Sequence, residues 1–400
     1  MFTNHLNINT YELLESYRIG NFVEVIENKN DPGDPYSNDP MRIPIMNVLN
    51  QKPFNGEPPL PLLVKSFITP NEIHYVRNHL PVPVIDPNEY VLEITGLGIQ
   101  DTVKLTLDDL KKLPEHKLVV TIQCSGNRRA HMNEEKQTKG LEWKGAAIGN
   151  AEWSGVRLRD LLNYIGFEAN RKEMKHFQFE GYDQDITKTN YGVSFPFSKA
   201  YSKDGDVLVA YKMNGEDIPR DHGYPVRIII PGVVGTRNVK WLKKIIISDE
   251  ESQSFWQQSD YKGFSPSIDM NHANYKLTPA IQDLPVQSQI CETSINDDEI
   301  TIKGYAWSGG GRGIAWVDVS LDNGDTWNVA NIDPPIEEEY GKNWSWRLWE
   351  ITLPIPKNQN GLKIKSKAVD TSYNAQPERI SSIWNYRGVL TNAWSSVDLK

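Results

Sequence analysis

Short apolar runs of the β type alternate with brief helical pieces from about residue 56 to residue 270. YVLEITGL, KLVVTIQC, PVRIIIPGVV and KWLKKIIIS read as strands, while LTLDDLKKL and VRLRDLLNYIG put leucines on one helical face and begin near a Ser, Thr or Gly. That mixture predicts an α+β domain. Beyond about residue 285 the helical period vanishes: EITIKGYAWSG, WVDVSLDNGDTW, WSWRLWEITLPI and GLKIKSKAVD alternate apolar with polar residues, and DNGD supplies a hairpin turn. Strands at that spacing without helices predict an antiparallel β-sandwich of immunoglobulin-like type. The stretch NDPGDPYSNDP marks residues 1–55 as a turn-rich N-terminal arm that wraps a body. Proline and polar residues cluster at LTPAIQDLPVQS, so the chain divides into the arm, a first domain over 56–270 and the sandwich over 271–400.

Composition narrows the classes. The 400 residues are 38% hydrophobic and 24% charged, the balance of a soluble globular chain. A net charge of -9 argues against a general affinity for nucleic acid, so any anion must be drawn by a local basic pocket. Cys124 and Cys291, far apart in sequence, form neither a disulfide framework nor a zinc cluster, and a reducing, intracellular compartment is expected. No apolar run reaches the ~18 residues of a membrane span, since VRIIIPGVVG is broken by arginine, proline and glycine. The first thirty residues, with one Arg, one Lys and four Glu, fit neither a transit nor a signal peptide, and the ending SSVDLK is not a peroxisomal address.

Chemistry gathers at VVTIQCSGNRRAHM, Val119 to Met132. A lone cysteine at a strand end is more often a small buried hydrophobe. Here the turn Ser125-Gly126-Asn127 follows at once and puts the thiol at an edge, while Arg128 and Arg129, with Lys139 and Lys144 farther on, favour a thiolate. A thiolate is a nucleophile or a soft metal ligand. As a nucleophile it wants a histidine base, for which His79, His116, His131 and His222 are candidates. As a metal ligand it wants partners, yet the chain holds no CxxC and no HExxH. A metal bound chiefly by an organic cofactor meets that second requirement.

Two further stretches suit an anion. YVRNHLPVP (75–83) and RDHGYPVRIIIPGVVGTRNVKW (220–241) combine Arg or His with tight turns, and the second sets His222, Arg227, Arg237 and Lys240 around a PGVVG loop. Glycines there admit backbone N–H groups to a phosphate, and the cations supply charge. Neither GxGxxG nor GxxxxGK occurs, which disfavours an ordinary dinucleotide fold and an NTPase. Trp143, Trp153, Trp241 and Trp256 are expected in the core, and Tyr261 in DYKGFSPS is ambiguous.

TIQCSGNRR, YVRNHLPVP, LEWKGAAIGNAEWSGVRL, RDHGYPVRIIIPGVVGTRNVKW, DYKGFSPS, IKGYAWSGGGR and WNYRGVLTNAW together resemble the eukaryotic sulfite oxidase family of molybdenum enzymes, from about residue 60 to 395. The resemblance implies a sulfite-oxidase-type molybdopterin-binding domain followed by a sandwich that serves dimerisation. It implies a Mo-molybdopterin cofactor whose dithiolene, one cysteine thiolate and oxo groups surround the metal, with Cys124 as the only protein ligand. By matching motif, Tyr75, Val76, Arg77, Asn78 and His79 would line the pterin and metal. Asp183, His222, Arg227, Asn238, Val239 and Lys240 would hold the pterin and its phosphate. Arg77, Arg129, Trp143, Tyr261 and Arg387 would form the substrate pocket, with Lys139 nearby. Several arginines suit one small dianion, because each donates charge-assisted and often paired hydrogen bonds. The implied activity is oxidation of sulfite to sulfate, with electrons passing to oxygen or cytochrome c. The chain shows no HPGG-like haem signature, so the haem-free, plant-type arrangement is expected, as a homodimer with a mitochondrial or peroxisomal address. The alternative is the molybdenum domain of a nitrate reductase; the Leu-Pro after His79 and Arg387 in WNYRGVL favour sulfite. A silent pterin carrier has no need of a substrate pocket.

Overall fold

The structure is a computed structural model that describes residues 33–169, 172–332, 339–356 and 361–399. Two five-stranded sheets carry the first part of the chain. In one, His116–Gln123 lies at the edge beside Ile148–Arg157, then Leu208–Met213, which also pairs with Glu216–Asp217 and Arg227–Ile229. In the other the order is Val103–Thr106, Val91–Gly96, Leu242–Ser248, His176–Gln184, Asn190–Pro196, and the pairing of Val91–Gly96 with Leu242–Ser248 is parallel. The apolar positions of these strands face a shared core that includes Ile94, Phe177, Phe179, Val209, Ile228 and Ile245. Gly155 is required where Ile148–Arg157 meets Leu208–Met213, since a Cβ there would sit 2.1 Å from the Val209 carbonyl oxygen.

Local chemistry explains the helices. Leu107–Lys111 opens on a capping box in which Thr106 and Asp109 satisfy each other's backbone amides. Leu158–Tyr164 has no such cap: Arg157 precedes it without a side-chain bond, and the Leu158 amide donates to the Val207 carbonyl at 2.8 Å. PVRIIIPGVV was expected to be a longer strand than the three residues Arg227–Ile229, because the Pro231-Gly232 turn diverts the chain at once. Residues 1–32 of the expected arm lie outside the described residues; residues 47–55, also placed by sequence in the arm, form with Gly56 and Glu57 a hairpin whose strand Phe54–Glu57 is wholly buried and pairs with Val76–Arg77. Buried Glu57 accepts the amides of Lys144 and Ala146 at 2.7 and 2.9 Å. Among the described residues no helix is long and apolar enough to cross a membrane.

The C-terminal part is the sandwich expected from its alternation. Gln287–Asn296, Glu299–Trp307, Arg347–Pro354 and Asn331–Ile332 form one antiparallel sheet, and Asn328–Val329, Ile314–Ser320, Leu362–Asp370 and Ser395–Leu399 form the other. Ile300, Ile302, Val317, Val319 and Ile364 fill the space between. In DNGD, Asn323 and Gly324 both take positive φ, 64° and 100°, the conformation this pair of residue types tolerates best. Trp344 and Trp346 bond to Thr121 along the free edge of His116–Gln123, so the sandwich covers the edge strand that leads to Cys124.

Candidate active site

Strand His116–Gln123 stops one residue short of Cys124, whose amide donates to the Ala147 carbonyl at 2.9 Å and whose carbonyl accepts the Asn127 amide at 3.0 Å. The turn ends at Arg128, which takes φ 63°, and Arg129 begins the helix Arg129–Glu135. The left-handed residue sends the two arginines apart. Arg129 stays near the thiol, and its guanidinium is fixed by the carbonyls of Arg387, Gly388 and Leu141 at 3.2, 3.0 and 2.7 Å. A Cβ at Gly126, Gly140 or Gly388 would lie within 2.7 Å of that side chain, so three glycines make its slot. Arg128 turns away, fully buried, to the carbonyls of Ser288, Ala393 and Trp394 and to His131. The expectation that both arginines accompany the thiol is therefore corrected: one does.

Cys124 forms part of a cleft between the two large sheets. The chain around Val76–Arg77 is extended, so Tyr75, Arg77 and His79 face the cleft while Val76 and Asn78 face away. The Arg77 guanidinium is anchored on the Asn55 side-chain oxygen at 3.1 Å and the Asn78 carbonyl at 2.6 Å. Opposite, His79 hydrogen-bonds the Tyr261 hydroxyl just past the turn Trp256–Asp260. The wall also includes Asp183, His222, Arg227, Asn238, Val239 and Lys240. Arg227 ties this wall together, donating to the His222 and Asn238 carbonyls at 2.7 and 3.0 Å. Lys240 bonds Asn78 and the Asp221 carbonyl, the latter at 2.8 Å.

Burial governs the charges. His74 and His79 are held well below the usual histidine range, and His222 falls to about 3, all chiefly by burial, to which nearby Arg77 and Lys240 add for His79, Lys240 and Arg227 for His222, and the His222 ring for His74. These rings are neutral hydrogen-bonding groups at neutral pH. Burial pushes the Tyr261 hydroxyl up, so it keeps its proton. Burial also raises Asp183 to about 7 and lowers Lys240 to about 7. Arg77, Arg227 and Lys240 against Asp183 leave the cleft a place for an anion within a chain of net charge -9.

Four buried polar atoms on the cleft wall have no partner: His74 Nε2, Ser125 Oγ, Asp183 Oδ1 and Arg227 Nε. Buried polar groups are normally bonded, so this set calls for a polar guest. Among the described residues no cluster of three or more His, Cys, Asp or Glu could hold a metal unaided. A metal at Cys124 must bring its other ligands, and a pterin carrying donors, acceptors and a phosphate fits the unpartnered atoms and the cations.

Several expected residues lie off the cleft wall. Trp143 is fully buried behind Tyr75, edge-on at 6.3 Å. Lys139 is exposed, its amide donating to the Tyr386 carbonyl. Arg387 pairs with Asp260 and leaves Nε unpartnered, and burial with nearby Arg129 lowers it to about 10. Asn78 bridges Lys240 and Asp221 from behind. Arg237, expected at the PGVVG loop's anion site, instead donates to the Ile281 carbonyl and Gln257. His131 accepts from Arg128, and His116 pairs with Asp160, so neither serves the thiol. His74, Ser125, Tyr191 and Thr236 line the cleft without having been singled out, and Trp241 lines it although expected as core.

Two family models match the chain: "Oxidoreductase molybdopterin binding domain" over residues 79–256 and "Mo-co oxidoreductase dimerisation domain" over residues 278–400. A single thiol, a basic cleft and a following sandwich thus mark a molybdopterin oxidoreductase. Sulfite oxidase of Rattus norvegicus, named mitochondrial, is 48% identical over 406 residues, covering 100% of this chain and 74% of the rat protein. That of Arabidopsis thaliana is 40% identical and covers 91% of this chain and 96% of its own length. An NADH nitrate reductase of Solanum lycopersicum is 38% identical over 89% of this chain and 41% of that protein. The solved structure of the sulfane dehydrogenase SoxCD from Paracoccus pantotrophus shares the fold, with TM-score 0.72 at 24% identity over 95% of this chain and 93% of that one. The chain belongs to the sulfite oxidase family.

Proposed function

We propose that this protein oxidises sulfite to sulfate in the cleft above Cys124, with the Cys124 sulfur as its ligand to the molybdenum of a bound molybdopterin. The observation that carries the reading is a lone thiol beneath a basic cleft whose wall leaves buried polar atoms unpartnered. When bound, the molybdenum–pterin group supplies the oxygen transfer and takes up the two electrons. The chain's own residues bind, orient and hold protons. His74, Asp183, His222, Arg227, Asn238 and Lys240 offer the pterin and its phosphate hydrogen bonds and charge. Arg77, fixed from behind on Asn55 and Asn78, presents its free edge to the sulfite dianion. Tyr261, kept protonated by burial and oriented by neutral His79, donates to a substrate oxygen. Arg129 and Arg387 add positive potential from the side of Cys124.

The matched dimerisation domain supports a homodimer, and the name of the rat relative supports a mitochondrial address. Oxygen or cytochrome c is the acceptor in this reading. The test is an anaerobic visible spectrum of molybdenum-loaded protein before and after sulfite, followed by air. Bleaching by sulfite with recovery in air supports sulfite oxidation with oxygen as acceptor; bleaching without recovery directs the search to cytochrome c. An unchanged spectrum in loaded protein overturns the substrate, and nitrate is then tried on reduced protein.

A further inference from the structure

Residues 39–42 reach the cofactor side of the cleft through one carboxylate. Arg42 forks onto Asp221, Nε to Oδ2 at 2.8 Å and Nη2 to Oδ1 at 2.8 Å. Asp221 Oδ1 also accepts from Asn78 Nδ2 at 2.9 Å, and Asn78 in turn accepts from Lys240, which is bonded as well to the Asp221 carbonyl. Asp221 and Asn78 are buried, and neither forms part of the cleft wall. Asp221 belongs to the turn Arg220–His222, so the same turn presents His222 to the cleft. The Arg42 side chain, 15% exposed, is sandwiched further: Nη2 reaches Asp39 Oδ2 at 2.9 Å, Asp39 Oδ1 accepts the Val82 amide at 3.1 Å, and the guanidinium lies 4.2 Å over the Phe54 ring.

We infer that Arg42 is a positioning residue for the cofactor, acting through Asp221 on Asn78, Lys240 and His222 without touching the group itself. A forked arginine leaves its carboxylate one orientation, with the second lone pair of Oδ1 aimed at Asn78. Asn78 so oriented turns its oxygen to Lys240 and fixes where that ammonium stands. Without Arg42, a carboxylate 8% exposed keeps only the Asn78 amide, and the cheapest new partner for it is Lys240. The ammonium is then drawn from the cleft to the carboxylate behind it. The inference rests on the reading of this cleft as the molybdopterin site.

The experiment uses full-length protein loaded with molybdopterin. It measures the rate at which pterin fluorescence and molybdenum appear in the filtrate, with the melting temperature recorded alongside. Arg42→Gln should release the cofactor roughly 10–100-fold faster, the range typical when the orienting partner of a site residue is lost. Arg42→Lys, which keeps the charge without the fork, should fall between. Arg42→Gln combined with Asp221→Asn should be slower to release than Arg42→Gln alone, since no bare carboxylate competes for Lys240. Asp39→Asn loosens the segment but spares both Asp221 bonds, and should release at the parental rate. Release unchanged in Arg42→Gln, with or without a lower melting temperature, overturns the inference, as does equally fast release from Asp39→Asn. Parent protein that retains no pterin at all removes the molybdopterin reading and this inference together; parent retention with an unchanged Arg42→Gln removes this one alone.

Discussion

Arg128 and Arg129 are adjacent, yet the structure gives them opposite duties, and substituting each by methionine separates those duties. Arg128 is fully buried and makes three bonds to main-chain carbonyls of the sandwich, at 3.1, 2.8 and 3.1 Å. Charge-assisted bonds contribute ~1.5–3 kcal/mol each. Against that stands the cost of burying the cation, which lowers Arg128 from 12.5 to about 10, or roughly 3 kcal/mol at ~1.4 per unit. Methionine fills much of the volume but cannot satisfy the carbonyls. The net loss for Arg128→Met is therefore ~2–6 kcal/mol, which at ~2 °C per kcal/mol for a unit of this size is a melting temperature lower by ~4–12 °C. Differential scanning calorimetry of loaded protein measures it, with steady-state sulfite kinetics well below the transition. Arg128→Met should leave the KM for sulfite within about twofold, because its side chain points away from the cleft. Arg129→Met should raise that KM by at least about tenfold, the loss expected from one charge-assisted contact. An Arg128→Met protein with parental melting and a raised KM would refute this division, and would return Arg128 to the anion.

Three other outcomes follow from the site. Cys124→Ser should abolish turnover while the protein still retains pterin, measured by fluorescence after denaturation, since the residues proposed to hold the phosphate lie on other elements; loss of all pterin sinks that separation. Arg387→Met should raise the sulfite KM by about 10–100-fold, equivalent to one charge-assisted contact, and an unchanged KM removes Arg387 from the anion's surroundings. Lys240, lowered to about 7 by burial, is neutral in the empty cleft above that pH, so an anionic phosphate must bring a proton with it. Affinity of the apoprotein for molybdopterin should fall above about pH 7, by up to about tenfold per unit from Lys240 alone and more steeply with Asp183, which ionises over the same range with the same sign. Lys240→Met should flatten the profile, and a slope as steep as the parent's in that variant excludes Lys240 from the phosphate contact.

Local signals were legible in the sequence and long-range ones were not. The elbow at Cys124 was readable because an apolar alternation followed by Ser-Gly-Asn is decided within ten residues. The sandwich was readable for the same reason, its alternation being unbroken from one turn to the next. The direction of Arg128 depends on carbonyls at Ser288, Ala393 and Trp394, residues no local pattern connects to it. For 75–79 the signal was present and unused: an extended chain puts Tyr75, Arg77 and His79 on one side, and Val76 and Asn78 on the other. His74 carries no such mark, since a histidine beside an aromatic in an apolar segment reads as core. Its unpartnered Nε2 becomes informative only when Ser125 and Asp183 stand around the same space.

The sandwich completes the site as well as following it. The Leu390 amide donates to the Ser125 carbonyl at 2.8 Å, and the carbonyls of Arg387 and Gly388 receive Arg129. Gly388 takes φ 58°, and a Cβ there would stand 2.6 Å from Arg129 Cγ, so only glycine lets this tail lie against the arginine. The result is a buried guanidinium, Arg129, beside a half-buried one, Arg387, on separate domains, close enough that Arg129 disfavours the charge of Arg387, which pairs with Asp260. Like charges brought together in this way oppose each other, even with Arg387 paired to Asp260 and Arg129 held on main-chain carbonyls. On the proposed reading of the cleft as the sulfite site, a dianion bound beside these arginines and Arg77 would offset that repulsion. The donors are already fixed on main-chain carbonyls, so little side-chain freedom remains to be lost when sulfite arrives. On that reading the C-terminal domain contributes, through Arg387 and the carbonyls that hold Arg129, to how tightly sulfite is held.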